Sequence, residues 1–181
     1  MTIYVLSVYS IANSKLILLD SAKNLKSINY FARNNTAELL DFFIKQACSN
    51  NNENFLCVIE DKFKLSILKD GNIYYAIATD MEYSKQMSYA ILKKISNKTF
   101  NQWNLQEEIS INHYTNNPIT KITGIQTEIL EIQKIMEKNI EDIIKRGENL
   151  DDLVKKSDEL SESSKIFYNR AKKMNQCCVL L

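Results

Sequence analysis

The chain has 181 residues, 45% hydrophobic and 25% charged, which is enough for one folded domain with an extension beside it. A formal net charge of +1 provides no overall field for nucleic acid, so no nucleic-acid partner is expected. Four cysteines without metal-ligand spacing, and no apolar run of about 18–20 residues, predict a reducing cytosol, no metal site and no membrane-spanning helix.

Residues 1–112 predict an α+β domain in which helices pack on an antiparallel sheet of about five strands. TIYVLSVYS and KLILLD predict a hairpin, and SINYFA predicts a third strand. NTAELLDFFIKQACS and YSKQMSYAILKKISNKTF have the apolar spacing of amphipathic helices. FKLSILKDGNIYYAIATD predicts a second hairpin, because Gly71 accepts the positive φ of a tight turn. For NFLCVIED, a strand and a loop are both compatible with the pattern.

Pro118 lies in the polar stretch HYTNNPIT, which marks residues 113–118 as a linker. Residues 119–176 then show only a helical pattern. Steps of three and four residues from Arg146 reach fifteen further positions, twelve of them apolar, over about eight heptads. This period predicts one long coiled-coil helix. The fifteen seam positions are Ile122, Ile125, Ile129, Ile132, Met136, Asn139, Ile143, Leu150, Leu153, Ser157, Leu160, Ser164, Phe167, Ala171 and Met174.

Arg146 is the charged residue at the centre of this apolar seam. A guanidinium buried without a partner costs about several kcal/mol, so partner helices must present acceptors at the same level. Two arginines in a homodimer would repel, whereas glutamine side chains on different helices supply the acceptors. The alternative is an ordinary dimeric coiled coil from which Arg146 extends into solvent.

CCVLL ends the sequence, with Cys178 followed by three aliphatic residues. This pattern matches the C-a-a-X signal for prenylation, and a final leucine favours geranylgeranyl. A single prenyl chain binds membranes reversibly, so a second signal is expected. Palmitate or a second prenyl group on Cys177 is one candidate, and the basic run from Lys165 to Lys173 is another. Covalent lipids are expected here, and no cofactor.

IKRGENLDDLVKKSDELSESSKIFYNRAKK strongly resembles the fusion motif of R-SNAREs, with Arg146 at the ionic central layer. YFARNN and TDMEYSKQMSYAILKKI make the first domain similar to a longin domain. Together with CCVLL, these features resemble the lipid-anchored longin R-SNAREs.

The resemblance implies one helix contributed to a parallel four-helix bundle with Q-SNARE helices on the opposing membrane, driving vesicle fusion. It implies a cytoplasmic and peripheral membrane protein on the cytosolic face of Golgi, ER, vesicle or endosomal and vacuolar membranes. It also implies that the longin domain folds back on its own fusion helix or lipid. Phe42 and Phe43 of the first helix are the expected autoinhibitory groove.

No catalytic residues are expected, because the sequence has neither a phosphate-binding glycine loop nor a nucleophile elbow. The sole histidine, His113, lies in the polar linker. The competing interpretation is a cytosolic adaptor, in which a longin-like domain binds proteins and the helix only dimerises.

Overall fold

The computed structural model describes residues 1–13, 15–112, 126–144 and 148–177; for residues 111–112, 126–129 and 175–177 it describes the backbone alone. The strands are Ile3–Ala12 (β1), Lys15–Lys23 (β2), Phe55–Glu60 (β3), Phe63–Asp70 (β4), Ile73–Asp80 (β5) and Lys138–Asn139 (β6). The helices are Arg33–Ser49 (α1), Lys85–Ser96 (α2), Leu105–Asn112 (α3), Gln126–Lys134 (α4), Ile140–Ile143 (α5), Leu150–Lys156 (α6) and Glu162–Cys177 (α7).

The six strands of the described residues form one sheet in the order β2-β1-β5-β4-β3-β6. The first five pair antiparallel, which confirms the expected α+β fold with its two hairpins. NFLCVIED contains strand β3. Gly71 has a φ of 57° in the turn between β4 and β5, as the hairpin prediction requires. Among these six strands, β6 is the only one that pairs in parallel. It comes from residues 119–176, the C-terminal segment, which lies outside the domain predicted from residues 1–112.

SINYFA is not a third strand, so that prediction was wrong. Tyr30–Ala32 form a short 3-10 helix that leads into α1. The Asn29 side chain accepts a hydrogen bond from the Phe31 N–H and so satisfies the backbone within the loop. A local cap of this kind competes with strand pairing, which the alternation of residue types alone does not indicate.

Helices cover both faces of the sheet. On one face, α1 buries Leu39, Leu40, Phe43 and Ile44 against the strands, because these positions share one side of the helix. On the other face, α2 and α3 cover a second apolar cluster that includes Ile91, Leu92 and Ile109. The Ser84 side chain caps α2 by accepting a hydrogen bond from the Met87 N–H.

The described part of residues 119–176 differs from the expected single helix. It is divided into α4, β6, α5, α6 and α7. Asn139 and Asn149 begin new helices at α5 and α6, since each side chain accepts a hydrogen bond from a backbone N–H of the first turn. The apolar side chains of this segment pack against clusters on both faces of the sheet, and one straight helix could not reach both.

The C-terminal segment passes around the edge of the sheet. Ile132 of α4 packs into the cluster beneath α2, β6 extends the sheet beside β3, and α5 to α7 pack on the opposite face with α1. An ion pair between Lys138 and Glu53, and another of 3.2 Å between Lys64 Nζ and Glu137 Oε1, lie at this edge. None of the helices in the described ranges is long and apolar enough to cross a bilayer.

Candidate functional site

The surface that joins the C-terminal segment to α1 and the sheet is the closure interface. Its apolar part contains the buried side chains of the segment that join the cluster beneath α1: Ile140, Ile144, Leu150, Val154, Leu160 and Tyr168. Ile143, Leu153 and Phe167 are partly buried against the same cluster. Burial of a side chain of this size contributes about 1.5–3 kcal/mol, so the interface has a substantial apolar driving force.

The seam positions predicted from the heptad pattern have different environments. Ile132, Leu150, Leu160 and Ser164 are buried. Ser157 and Ala171 are half-exposed, and Met136, Asn139 and Met174 are exposed. Ile129 lies in α4, where only the backbone is described. Ile122, Ile125 and Arg146 lie outside the described residues, so the expected central layer has no structural description.

Four buried residues of the closure interface are not seam positions. Ile140, Ile144, Val154 and Tyr168 each follow a seam position directly in sequence. Within the short helices the buried positions are four residues apart, as in Leu150 with Val154, because a helix on a globular surface buries an i, i+4 stripe. The sequence does contain these apolar residues next to the seam positions. They were missed because they do not fit the 3.5-residue period of the heptad pattern.

The predicted groove residues Phe42 and Phe43 are both buried. Phe42 lines one crevice together with Leu153 and Ser157, which are seam positions. Phe43 and Tyr168 have ring centroids 6.2 Å apart in an edge-to-face arrangement. They border a cavity of about 400 Å³ between α1, the β3–β4 turn and α7. The structure therefore brings the two phenylalanines and the C-terminal segment together.

One carboxylate of α1 holds the start of α7. Glu38 Oε2 accepts hydrogen bonds from the Ser161 N–H at 3.0 Å, the Ser161 hydroxyl at 2.6 Å and the Ser164 hydroxyl at 2.7 Å. These donors, led by the Ser161 hydroxyl, lower the pKa of Glu38. Asn35 Oδ1 accepts from the hydroxyls of Ser163 and Ser164 at 3.0 and 3.3 Å. The seam residue Ser164 is fully buried by these contacts.

Ionisable groups gather where α7 approaches α6 and β3. Asp151 accepts hydrogen bonds from Lys172 Nζ at 2.6 Å and from the Tyr168 hydroxyl at 3.0 Å, and the lysine lowers the pKa of Asp151. Burial, followed by the charges of Glu141 and Asp61, raises the pKa of Glu60 to about 7. This carboxyl is therefore partly protonated at neutral pH.

The cysteines divide into two pairs. Cys48 and Cys57 are buried thiols whose pKa values are raised by burial, which makes them poor nucleophiles. Cys177 is the last residue of α7, where only the backbone is described, and Cys178 lies outside the described residues. The expected lipid sites therefore lie at the end of the helix that carries Tyr168 and Lys172, or directly after it.

Residues 121–180 match the synaptobrevin family. This part of the chain is therefore similar to the SNARE region of that family. The resemblance to R-SNAREs seen in the sequence is confirmed, because the matched SNARE region contains Arg146 and the seam positions from Ile122 onward.

Similarity to known proteins extends beyond the SNARE region. The chain is 29% identical over 201 residues to the synaptobrevin homolog YKT6 of Debaryomyces hansenii, with all of both chains covered. It is 28% identical over 200 residues to the protein of that name in Saccharomyces cerevisiae, again with full coverage. With the Schizosaccharomyces pombe protein the identity is 29% over 197 residues, covering 99% of this chain and 100% of the relative. The likeness therefore includes the α+β domain.

Proposed function

We propose that this protein is an R-SNARE that supplies one helix, with Arg146 in its central layer, to a parallel four-helix bundle for vesicle fusion. Three glutamine-bearing Q-SNARE helices on the opposing membrane are the partners. The observation that carries the proposal is the synaptobrevin match over 121–180, with an arginine in the middle of a long apolar seam. Assembly exerts force on membranes and makes or breaks no covalent bond, so the proposal includes no enzymatic activity.

The proposed anchor is a prenyl thioether on Cys178, with palmitate or a second prenyl group on Cys177. Two lipids convert reversible membrane binding into stable attachment. The protein then divides between cytosol and the cytosolic face of Golgi, ER, vesicle or endosomal and vacuolar membranes. An anchor directly after α7 supports this function, because zippering toward Met174 draws the attached bilayer toward the opposing one.

The domain restrains fusion in this proposal by holding the SNARE segment in the closure interface. Support comes from the seam positions Leu150, Leu160 and Ser164, whose side chains are buried. The two leucines pack into the cluster beneath α1, and Ser164 bonds to Glu38 of that helix. A side chain cannot pack against the domain and against three partner helices at the same time. Closure and bundle formation are therefore mutually exclusive, and partners must capture the segment after it leaves the domain.

The proposal is tested by mixing the full chain with three glutamine-bearing SNARE helices and measuring the helicity and melting temperature of the product. We expect a heteromeric complex that resists heat. Arg146→Gln should retain most of its stability, because glutamine still bonds to the partner amides. Arg146→Leu should lose more, since it leaves those amides unsatisfied at about 1–3 kcal/mol for each buried group.

The same mixture tests the adaptor interpretation, which the synaptobrevin match does not favour. A chain that forms homodimers and ignores the glutamine-bearing helices would support the adaptor. Equal melting temperatures for Arg146→Gln and Arg146→Leu complexes would contradict a polar central layer.

A further inference from the structure

The loop between β2 and α1 carries two aromatic side chains far into solvent. Tyr30 is 74% exposed and Phe31 is 88% exposed, and their ring centroids lie 5.6 Å apart at an interplanar angle of 84°. Two large aromatic side chains exposed side by side suggest a binding surface, because transfer of such a ring out of water is energetically favourable. This aromatic tip plays no part in the closure interface.

The exposure of the aromatic tip is imposed by the loop itself. Arg33 Nε donates to the Ile28 carbonyl and an Nη2 N–H donates to the Lys26 carbonyl, both at 3.0 Å. The Arg33 guanidinium also lies 5.6 Å from the centre of the Tyr30 ring. Together with the Asn29 cap of the Phe31 N–H, these bonds hold the two rings outward. A preorganised tip loses little conformational entropy on binding.

Positive charge is concentrated in the sequence segment that carries the aromatic tip. Residues 21–37 contain Lys23, Lys26 and Arg33 and no aspartate or glutamate. Lys23 forms an ion pair with Asp41, whereas Lys26 is exposed beside the tip. Residues 21–37 therefore carry a net positive charge although the whole chain is nearly neutral.

The tip lies at the end of the sheet that α7 approaches. Lys23 pairs with Val5, Ile3 pairs with Thr79, and Phe63 pairs with Asp80 in register. The loop after β2 and the turn between β3 and β4 therefore leave the sheet at the same end. Ala171 and Lys172 of α7 line the same cavity as Lys62 and Phe63 of that turn. The helix that leads to the candidate lipid sites thus passes this end of the domain.

We propose that the aromatic tip is a membrane-docking site, in which Phe31 and Tyr30 enter the interfacial region of an anionic leaflet. The exposed Lys26 then faces the lipid phosphates, and the charge of Arg33 adds to the attraction of the segment toward the negative surface potential. Aromatic rings favour the membrane interface, and a convex tip with a basic rim is complementary to a flat anionic surface. The tip would hold the domain against the membrane that carries its own C-terminal anchor.

The test places a fluorophore at the tip of the full chain. Phe31→Trp is made in a Trp103→Phe, Cys177→Ser background, so that the reporter is the single indole. Cys178 is coupled to maleimide lipid in place of a prenyl group, since the remaining thiols, Cys48 and Cys57, are buried. The matched control carries Phe100→Trp instead, because Phe100 is 60% exposed and precedes α3 on the other face of the sheet.

On phosphatidylserine-containing vesicles with brominated acyl chains, we expect the Phe31→Trp indole to be quenched and the Phe100→Trp indole to stay bright. Quenching should fall with salt, with Lys26→Gln and on neutral phosphatidylcholine vesicles. Among untethered chains, Phe31→Ser should bind anionic vesicles several-fold more weakly than the parent, with unchanged circular dichroism. Because each assay contains only this chain and vesicles, each result reports binding of the tip to lipid.

Equal quenching at the two positions, or none at the tip, would overturn the proposal. So would unchanged vesicle binding by Phe31→Ser, which would assign the tip to a protein partner. Equal quenching on neutral and anionic vesicles would overturn the role of charge. The experiment needs no partner helix and no prenyl group, so its outcome is independent of the R-SNARE proposal.

Discussion

At the scale of single residues, the closure interface combines an apolar surface with a few polar bonds that join distant parts of the sequence. Glu38 receives three hydrogen bonds from Ser161 and Ser164, which are more than 120 residues away. Because hydrogen bonds to a charged group are among the stronger ones, these contacts fix where α7 begins on α1. These polar contacts add to the apolar packing that holds the C-terminal segment on the domain.

Glu38→Ala should release the start of α7 from the domain. Loss of the carboxylate removes all three bonds and costs closure about 1.5–3 kcal/mol. Amide hydrogen exchange over residues 162–177 should therefore accelerate about tenfold or more. Glu159→Ala is the matched control, since it removes a single exposed ion pair with Lys45 and should leave the exchange nearly unchanged. Equal exchange in the two variants would show that Glu38 is not a closure contact.

Glu60 should make the stability of the closed protein against unfolding depend on pH. Its pKa in the closed protein is about 7, above the ordinary 4.5, so the closed state binds the proton more tightly than the unfolded chain. From this group, stability is highest at low pH and declines as pH rises between about 4.5 and about 7. Asp151, whose pKa is lowered, acts in the opposite direction as pH falls through the acidic range.

Glu60→Gln isolates this effect because it leaves Asp151, Glu141 and Lys172 in place. Chemical unfolding at pH 5.5 and pH 7.5 should show the variant gaining stability relative to the parent chain at the higher pH. The gain arises because the neutral amide does not ionise beside Glu141 and Asp61. An unchanged difference between the two pH values would mean that Glu60 titrates normally.

At the scale of elements, the C-terminal segment presents two overlapping faces. One is the 3.5-residue seam, which we propose packs against partner helices, and the other is the set of short i, i+4 stripes buried in the closure interface. Leu150 and Leu160 belong to both faces. Tyr168 belongs only to the closure face, whereas its neighbour Phe167 belongs to the seam and is also partly buried in the closure interface, so of the two only a substitution at Tyr168 affects closure alone.

Tyr168→Ala should open the closed chain and leave the bundle intact. The variant loses the Phe43 ring contact and the hydrogen bond to Asp151, at a cost of about 3–5 kcal/mol to closure. Phe167→Ala should instead lower bundle stability by about 3–5 kcal/mol. Hydrogen exchange of the free chain reports the first effect, and thermal melting of the assembled bundle reports the second. The two-face account fails if Tyr168→Ala weakens the bundle as much as Phe167→Ala does.

Sequence periodicity predicted most elements of the domain because each strand or helix buries one face with its own repeat. The hairpin at Gly71 and helix α1 are clear examples. The 27–32 stretch was misread because the Asn29 cap and the Arg33 bonds satisfy its backbone locally. The division of residues 119–176 into short elements was not predicted either, since an unbroken heptad pattern predicts one long helix. Contacts such as Glu38 with Ser161 depend on tertiary placement and leave no local pattern.

At the scale of the whole molecule, the C-terminal segment crosses from one face of the sheet to the other. It pairs β6 with the edge of β3, so the strand edge that would otherwise face solvent there is covered over Val58 and Ile59. The segment thereby protects the domain while the domain covers the seam. Opening would therefore expose both surfaces together.

We expect closure to limit assembly, and the rate at which the full chain joins the three glutamine-bearing helices measures this directly. If partners bind only the open state, the observed rate is proportional to the open fraction. Tyr168→Ala should then assemble at least about tenfold faster than the parent chain and give a complex with the same melting temperature. Equal assembly rates for the two chains would contradict the account.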